Sequence, residues 1–156
     1  MLRHNLKLAA LGAAALLSAA AVQASDSANM TVQATVVGTC KLVTVPTLDF
    51  GTLNQVTAPN LTPAAVNVTY RCTKGSAPTS FKVGGTATSP FAGSLSNGTD
   101  TIAYSISWTA PTTAGSGLGS SVTPVNVGLS GSMNGSAYQN VSAGSYTQSV
   151  AIDIAP

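Results

Sequence analysis

Short rows in which apolar residues alternate with polar ones constrain the fold of this chain more than any other feature. The clearest row runs from Ile102 to Trp108, where Ala103, Ser105 and Ser107 separate the apolar residues. Successive side chains point to opposite faces of a β-strand, so such a row predicts a strand with one buried face. The 3.6-residue spacing of an amphipathic helix is absent from the chain after residue 24.

The remaining rows and the turn signals between them predict an all-β fold. Alternating rows also begin at Val66, Phe81, Val125 and Val150. Pairs that favour turns lie between the rows, at residues 74–75, 97–98 and 134–135, because Gly and Asn tolerate positive φ angles. Residues 111–121 are rich in Thr, Ser and Gly and predict a long surface loop. About seven short strands separated in this way are typical of an antiparallel β-sandwich.

The first 24 residues have the pattern of a secretory signal peptide. Positive charge at Arg3 and Lys7 precedes an almost wholly apolar run, and small residues end at Ala24, after which cleavage is predicted. Cleavage after Ala21 is the alternative site. A transmembrane anchor is the alternative interpretation, but an apolar run of about 15 residues is short for a span of about 20. We therefore expect residues 1–24 to direct export.

Cys40 and Cys72 are the only cysteines of the chain. Two cysteines in an exported protein most simply form a disulfide, and two free buried thiols are the alternative. Closing a loop of this length would stabilise the fold by roughly 3–4 kcal/mol in the chain-entropy model.

The charged residues that remain after residue 24 exclude most classes of active site. Four Lys or Arg residues balance four Asp residues there, and no His or Glu is left. A Ser–His–Asp triad, a Cys–His pair and a zinc site of His and Cys are therefore excluded. Binding to nucleic acid requires clustered basic charge, which is absent. We expect no enzymatic activity, no catalytic or metal-binding residues, no cofactor and no nucleic-acid partner.

The segment that follows the signal peptide is unusual for a first strand. Met30, Val32, Ala34 and Val36 share one face, and the same parity continues to Leu42. At about 3.3 Å per residue this row would span roughly 40 Å, which is much longer than an ordinary strand. Either the strand is broken near Gly38, or its front half pairs with a sheet outside its own domain. The alternative interpretation of Met30 to Val36 is the ordinary first strand of a complete sandwich.

The motifs of the chain, taken in order, resemble the spore coat protein U domain family, which includes subunits of archaic (Csu-type) chaperone–usher pili. The resemblance rests on short motifs spread over nearly all of the chain after the signal peptide. They are Cys40, residues 48–51 (Leu-Asp-Phe-Gly), residues 70–75 (Tyr-Arg-Cys-Thr-Lys-Gly), residues 102–104 (Ile-Ala-Tyr), residues 144–146 (Gly-Ser-Tyr) and the closing row of Val150, Ile152 and Ile154.

The resemblance implies an incomplete immunoglobulin-like antiparallel sandwich that a donor strand from a neighbouring subunit completes. Residues 25–37 would be an N-terminal extension carrying that donor strand, with Met30, Val32, Ala34 and Val36 facing the neighbour's groove. Residues 38–156 would form the pilin domain. The implied partners are identical or related pilin subunits, a periplasmic chaperone and an outer-membrane usher.

The resemblance also implies export to the periplasm, assembly into a fimbrium at the cell surface, and a role in adhesion and biofilm formation. The alternative is a secreted, self-contained β-sandwich that acts as a binding or coat protein and does not polymerise by strand donation.

Overall fold

The computed structural model describes residues 25–63 and 65–156, so the predicted signal peptide of residues 1–24 lies outside the described residues. Seven β-strands are present in the described residues, together with a single 3-10 turn and no α-helix. The strands are β1 (Cys40–Thr44), β2 (Val66–Cys72), β3 (Ser80–Val83), β4 (Phe91–Ser96), β5 (Thr101–Trp108), β6 (Val125–Ser132) and β7 (Ile152–Ala155); the 3-10 turn is Gly135–Ala137.

The chain divides into two compact units, with the boundary between Ala34 and Thr35. All seven strands belong to the second unit. In the first unit, the described residues 25–34 contain no helix or strand.

The strands form two antiparallel sheets of unequal size. The larger sheet has the order β1-β2-β6-β5-β4, and the smaller one pairs only β3 with β7. In the larger sheet Cys40 is directly opposite Cys72, and in the smaller one Val83 is opposite Ile152. The predicted fold class, an all-β and incomplete immunoglobulin-like sandwich, is confirmed in this arrangement of a full sheet against a partial one.

The core lies between the two sheets and follows the alternating rows of the sequence. In β5, Ile102, Tyr104, Ile106 and Trp108 are all buried, while the residues between them are exposed or half-buried. The Trp108 ring packs edge-to-face against Phe81 of the smaller sheet, with 6.4 Å between the ring centroids. The prediction that the two β5 aromatic residues belong to the core is confirmed.

The long row from Met30 to Leu42 is a strand only at its end. No residue before Cys40 is assigned to a strand, and β1 ends at Thr44. Met30, Val32 and Val36 expose 84%, 80% and 81% of their surface. The structure therefore contains no ordinary first strand that begins near Met30, and the strand starts only at Cys40.

Two further regions differ from the sequence-based expectations. Strand β4 was not predicted, because its inward row includes Gly93 and its outward positions are Ala and Ser. The loop of residues 111–121 is not wholly at the surface, since Gly115 is buried and its backbone exchanges hydrogen bonds with Gly75 and Ser76. Among the described residues, no helix has the length and apolar character required to cross a membrane.

Candidate functional site

The free edge of β7 marks the place where the sandwich is incomplete. A strand in the middle of a sheet has a partner on each side, because both edges present backbone N–H and C=O groups. In the described part of the chain, β7 pairs with β3 alone. Its second edge therefore resembles the exposed edge of an unfinished sheet.

An open cleft lies beside the segment that leads into β7. Residues 45–56 form one wall, and residues 141–152 form the other. The cleft has a wide part of about 970 Å³ and a narrow part of about 260 Å³, and no β3 residue lines either part. We call this feature the β7 cleft. Ile152 is the one β7 residue in its lining, so the cleft borders the start of β7 and the segment that precedes it.

The narrow part of the β7 cleft has a mainly apolar lining that is incompletely buried, whereas the wide part also has polar side chains such as Asn54 and Ser142. At the floor of the narrow part, Tyr104, Ile106 and Leu129 of the larger sheet are buried. Apolar side chains around them are only half-buried although they pack against the core; these are Leu48, Phe50, Val66, Leu95, Val150 and Ile152. A complete sandwich would remove such side chains from water, so this part of the core is open to solvent.

Among the polar side chains of the lining, Gln148 is hydrogen-bonded to the floor of the cleft. Gln148 occupies an inward position in the row of Tyr146, Val150 and Ile152, and it lines both parts of the cleft. Its Oε1 atom accepts a hydrogen bond from the backbone N–H of Ser94 at 2.8 Å. The same atom accepts a second bond from the Tyr104 hydroxyl, also at 2.8 Å. Burial raises the pKa of the Tyr104 phenol, so this hydroxyl remains a donor at neutral pH.

A hydrogen-bond network holds the wall of residues 141–146. The Ser142 N–H donates to Oδ2 of Asp100 at 2.7 Å, and Nδ2 of Asn97 donates to the Ser142 hydroxyl at 3.0 Å. The pKa of Asp100 is lowered, first by its hydrogen bond with the Ser142 side chain and then by the bond from the Ser142 backbone. Backbone bonds between Ser96 and Thr147 continue this attachment, so the wall is fastened to the end of β4.

The opposite wall contains a tight turn at the Leu-Asp-Phe-Gly motif. Oδ1 of Asp49 accepts the N–H of Gly51 at 2.8 Å, and Gly51 has a φ angle of 73°. Asp49 and Gly51 therefore form a turn. Leu48 and Phe50 point toward the core on either side of Asp49, so the turn directs two apolar side chains into the β7 cleft.

The two predicted cysteine partners are joined. Cys40 and Cys72 form a disulfide between directly opposed residues of β1 and β2. The four predicted donor residues Met30, Val32, Ala34 and Val36 are exposed, and none of them belongs to a strand. Their role remains a prediction at this point.

Sequence reasoning from the residues alone did not identify the β7 cleft. The signal that could have indicated it is Gln148, a polar residue at an inward position of an otherwise apolar row that runs from Tyr146 to Ile154. No group of His, Cys, Asp or Glu side chains in the described ranges is arranged to hold a metal ion.

Comparison with known proteins gives one match. The family model described as Spore Coat Protein U domain matches residues 26–153, which include the disulfide and both walls of the β7 cleft. Neither the curated proteins nor the solved structures contain a match to the chain. The resemblance that was inferred from the short motifs is therefore confirmed.

Proposed function

The chain belongs to the Spore Coat Protein U domain family, and we propose that it is a structural subunit of a surface pilus built by donor-strand exchange. In this proposal the N-terminal extension of one subunit fills the β7 cleft of the next. The observation that carries the proposal is that two complementary features occur in the same chain. The β7 cleft lacks a strand, and residues 25–37 carry an apolar row that is exposed.

The energetics favour filling the cleft. Burying Met30, Val32, Ala34 and Val36 would contribute on the order of 4–7 kcal/mol before the cost of ordering the extension. Backbone hydrogen bonds along the free edge of β7 would add to this gain. The half-buried apolar side chains of the cleft would also be removed from contact with water, so the complex would gain free energy from both surfaces.

The proposed assembly is head-to-tail. The donor segment and the acceptor cleft are different surfaces of the same chain, so each added subunit presents a new donor or a new acceptor. Such a contact does not close on itself and produces an open fibre. A low content of charged side chains suits this stacking, because few like charges would meet along the fibre.

We extend the proposal to the partners and the location of assembly. A signal peptide of residues 1–24 would export the chain to the periplasm, where a chaperone would cover the cleft before a second subunit reaches it. An outer-membrane usher would then exchange the chaperone for the next extension, and the fibre would grow at the cell surface. There it would support adhesion and biofilm formation.

A pair of neighbouring substitutions tests strand donation directly. Val32→Asp places a charge on the face proposed to enter the cleft, whereas Gln33→Asp places the same charge on the opposite face. We expect the chain of residues 25–156 to form polymers with Gln33→Asp and to stay monomeric with Val32→Asp, as measured by light scattering and electron microscopy. Equal polymerisation of both variants would contradict the proposal.

A second experiment tests the acceptor. We expect the chain of residues 38–156 to unfold at a lower temperature than it does after addition of a synthetic peptide of residues 27–38. A gain of about 4 kcal/mol corresponds to a rise of about 10 °C or more for a domain of this size. If the shortened chain is already stable and ignores the peptide, the sandwich needs no donor, and a self-contained binding or coat protein becomes the better description.

A further inference from the structure

We infer that Gln148 sets the register of the incoming strand, and that Ala34 of a second copy of this chain lies against it. This inference rests on the proposed strand donation and adds the position at which the donor stops. It concerns specificity, because a strand can slide by two residues along a sheet edge and still present its apolar face.

Two hydrogen bonds hold the exposed Gln148 side chain at one point of the β7 cleft. Its side chain extends inward far enough to reach the hydroxyl of Tyr104 and the backbone N–H of Ser94, both at 2.8 Å. These two bonds join different elements, since Tyr104 is in β5 and Ser94 is in β4. Moving the side chain aside would break both bonds, so Gln148 is a fixed obstacle.

The amide group of Gln148 also requires a new partner when the cleft is filled. Its oxygen already accepts two hydrogen bonds, which is the capacity of a carbonyl oxygen. Its Nε2 atom donates no hydrogen bond to another described residue, and the Gln148 side chain is exposed to solvent while the cleft is open. Under an inserted strand this N–H group would be buried, and an unpaired buried donor is costly.

Only one of the four donor residues suits this position. The other three residues, Met30, Val32 and Val36, have long or branched side chains. Opposite Gln148, each would either overlap its side chain or hold the donor backbone too far away for a hydrogen bond. Ala34 is the one small residue in the row. With Ala34 at this point, the Nε2 atom can reach a backbone carbonyl of the donor strand.

The surroundings of Gln148 agree with this register. On one side the cleft is lined by Val150, Ile152 and Val66, and on the other by Tyr146, Val141 and Leu53. The second set lies among polar residues such as Asn54 and Ser142, but both sides offer apolar side chains that larger donor residues on either side of Ala34 can contact. A shift by two residues would place a valine on the only polar side chain of this row.

Peptide variants added to the Val32→Asp chain of residues 25–156, which is expected to stay monomeric, test the register without altering the acceptor cleft. The probe is the peptide of residues 27–38, and the readout is the fraction of monomeric chain converted to a complex, measured by native mass spectrometry. We expect Ala34→Leu to weaken binding at least about tenfold, because a well-packed site resists added volume. Leucine at Val32 or Val36 is the matched control and should change binding by less than about threefold.

Cross-linking locates the contact independently. A peptide with Ala34→Cys should form a disulfide with a Gln148→Cys chain under mild oxidation, whereas peptides with Val32→Cys or Val36→Cys should give much lower yields. Preferential cross-linking at position 32 or 36, or normal binding of the Ala34→Leu peptide, would overturn this register and leave strand donation intact. Failure of the unmodified peptide to bind would instead overturn the proposed function.

Discussion

The ring of Tyr104 lies directly against the backbone of Gly93, its opposite residue across the β4–β5 pair. A Cβ atom at position 93 would overlap the ring and would approach the phenol oxygen to 2.6 Å. Phe50 and Phe91 pack edge-to-face against the same ring, with centroid distances of 5.7 Å and 6.3 Å. The absence of a Cβ atom at Gly93 therefore allows Tyr104 to lie at the floor of the β7 cleft between these two rings.

Gly93→Ala should destabilise the domain through overpacking at Tyr104. We expect a loss of about 1–3 kcal/mol in the free energy of unfolding, because the ring must shift away from both phenylalanines. Urea denaturation measures this loss. Gly128→Ala in β6 is the matched control, since a Cβ there would meet only the Asn67 side chain at 3.8 Å. Equal effects of the two substitutions would show that the contact with Tyr104 is not the cause.

The part of the fold that could be predicted from the sequence is the part with strong alternation. The rows of β2, β3, β5 and β6 were predicted because each alternates large apolar residues with polar ones. In β4 the middle inward position is Gly93, so the alternation of apolar and polar residues is weak there. The reason for glycine at this position is the Tyr104 ring of β5, which the local sequence does not reveal. Val150 belongs to a predicted row but precedes β7, because the chain there lines the cleft without a strand partner.

The candidate site was predictable only in part, for a physical reason. An exposed apolar row such as that of Met30 and Val32 can be recognised from periodicity. A missing strand has no residues of its own, so the β7 cleft becomes visible only when the two sheets are placed together. The family resemblance supplied the expectation of a groove, and the positions of Gln148 and its partners required the structure.

Reduction of the disulfide should weaken the domain substantially. Cys40 and Cys72 connect β1 to β2 across a sequence separation of 32 residues, and opening this loop increases the entropy of the unfolded chain by an amount worth about 3–4 kcal/mol. Thermal unfolding with and without reductant should show a lower midpoint after reduction. The Cys40→Ala/Cys72→Ala double variant should already be at the lower midpoint and should not respond to reductant. A response in that variant would assign the effect to another cause.

Arg71 should hold the long loop before β6 in place. Its Nε atom donates to the Val122 carbonyl at 2.7 Å, and its Nη2 atom donates to the Ser120 carbonyl at 3.0 Å. Lysine lacks the planar guanidinium group with its separate N–H donors, so it cannot reproduce both bonds in the same geometry. We expect Arg71→Lys to increase proteolytic cleavage within residues 109–124 several-fold, as measured by limited proteolysis and mass spectrometry. Lys41→Ala, which alters the opposite residue in β1, should leave the cleavage rate unchanged, and an equal increase there would contradict a specific role for Arg71.

Acid should loosen the wall of the β7 cleft through Asp100. The bonds from Ser142 lower the pKa of this carboxyl in the folded chain below its ordinary value of 3.8. The folded state therefore favours the ionised form, and this contribution to stability is present above the unfolded-chain pKa of about 3.9. It is lost as the pH falls through the lowered pKa of the folded state. Urea unfolding at a series of pH values from about 7 to about 2, which brackets both pKa values, should show this loss in the unmodified chain and a smaller loss in Asp100→Asn. Asp153→Asn, which removes a carboxyl from β7 instead, should keep the acid sensitivity. If Asp100→Asn retains the full acid sensitivity, the Asp100–Ser142 bonds do not control it.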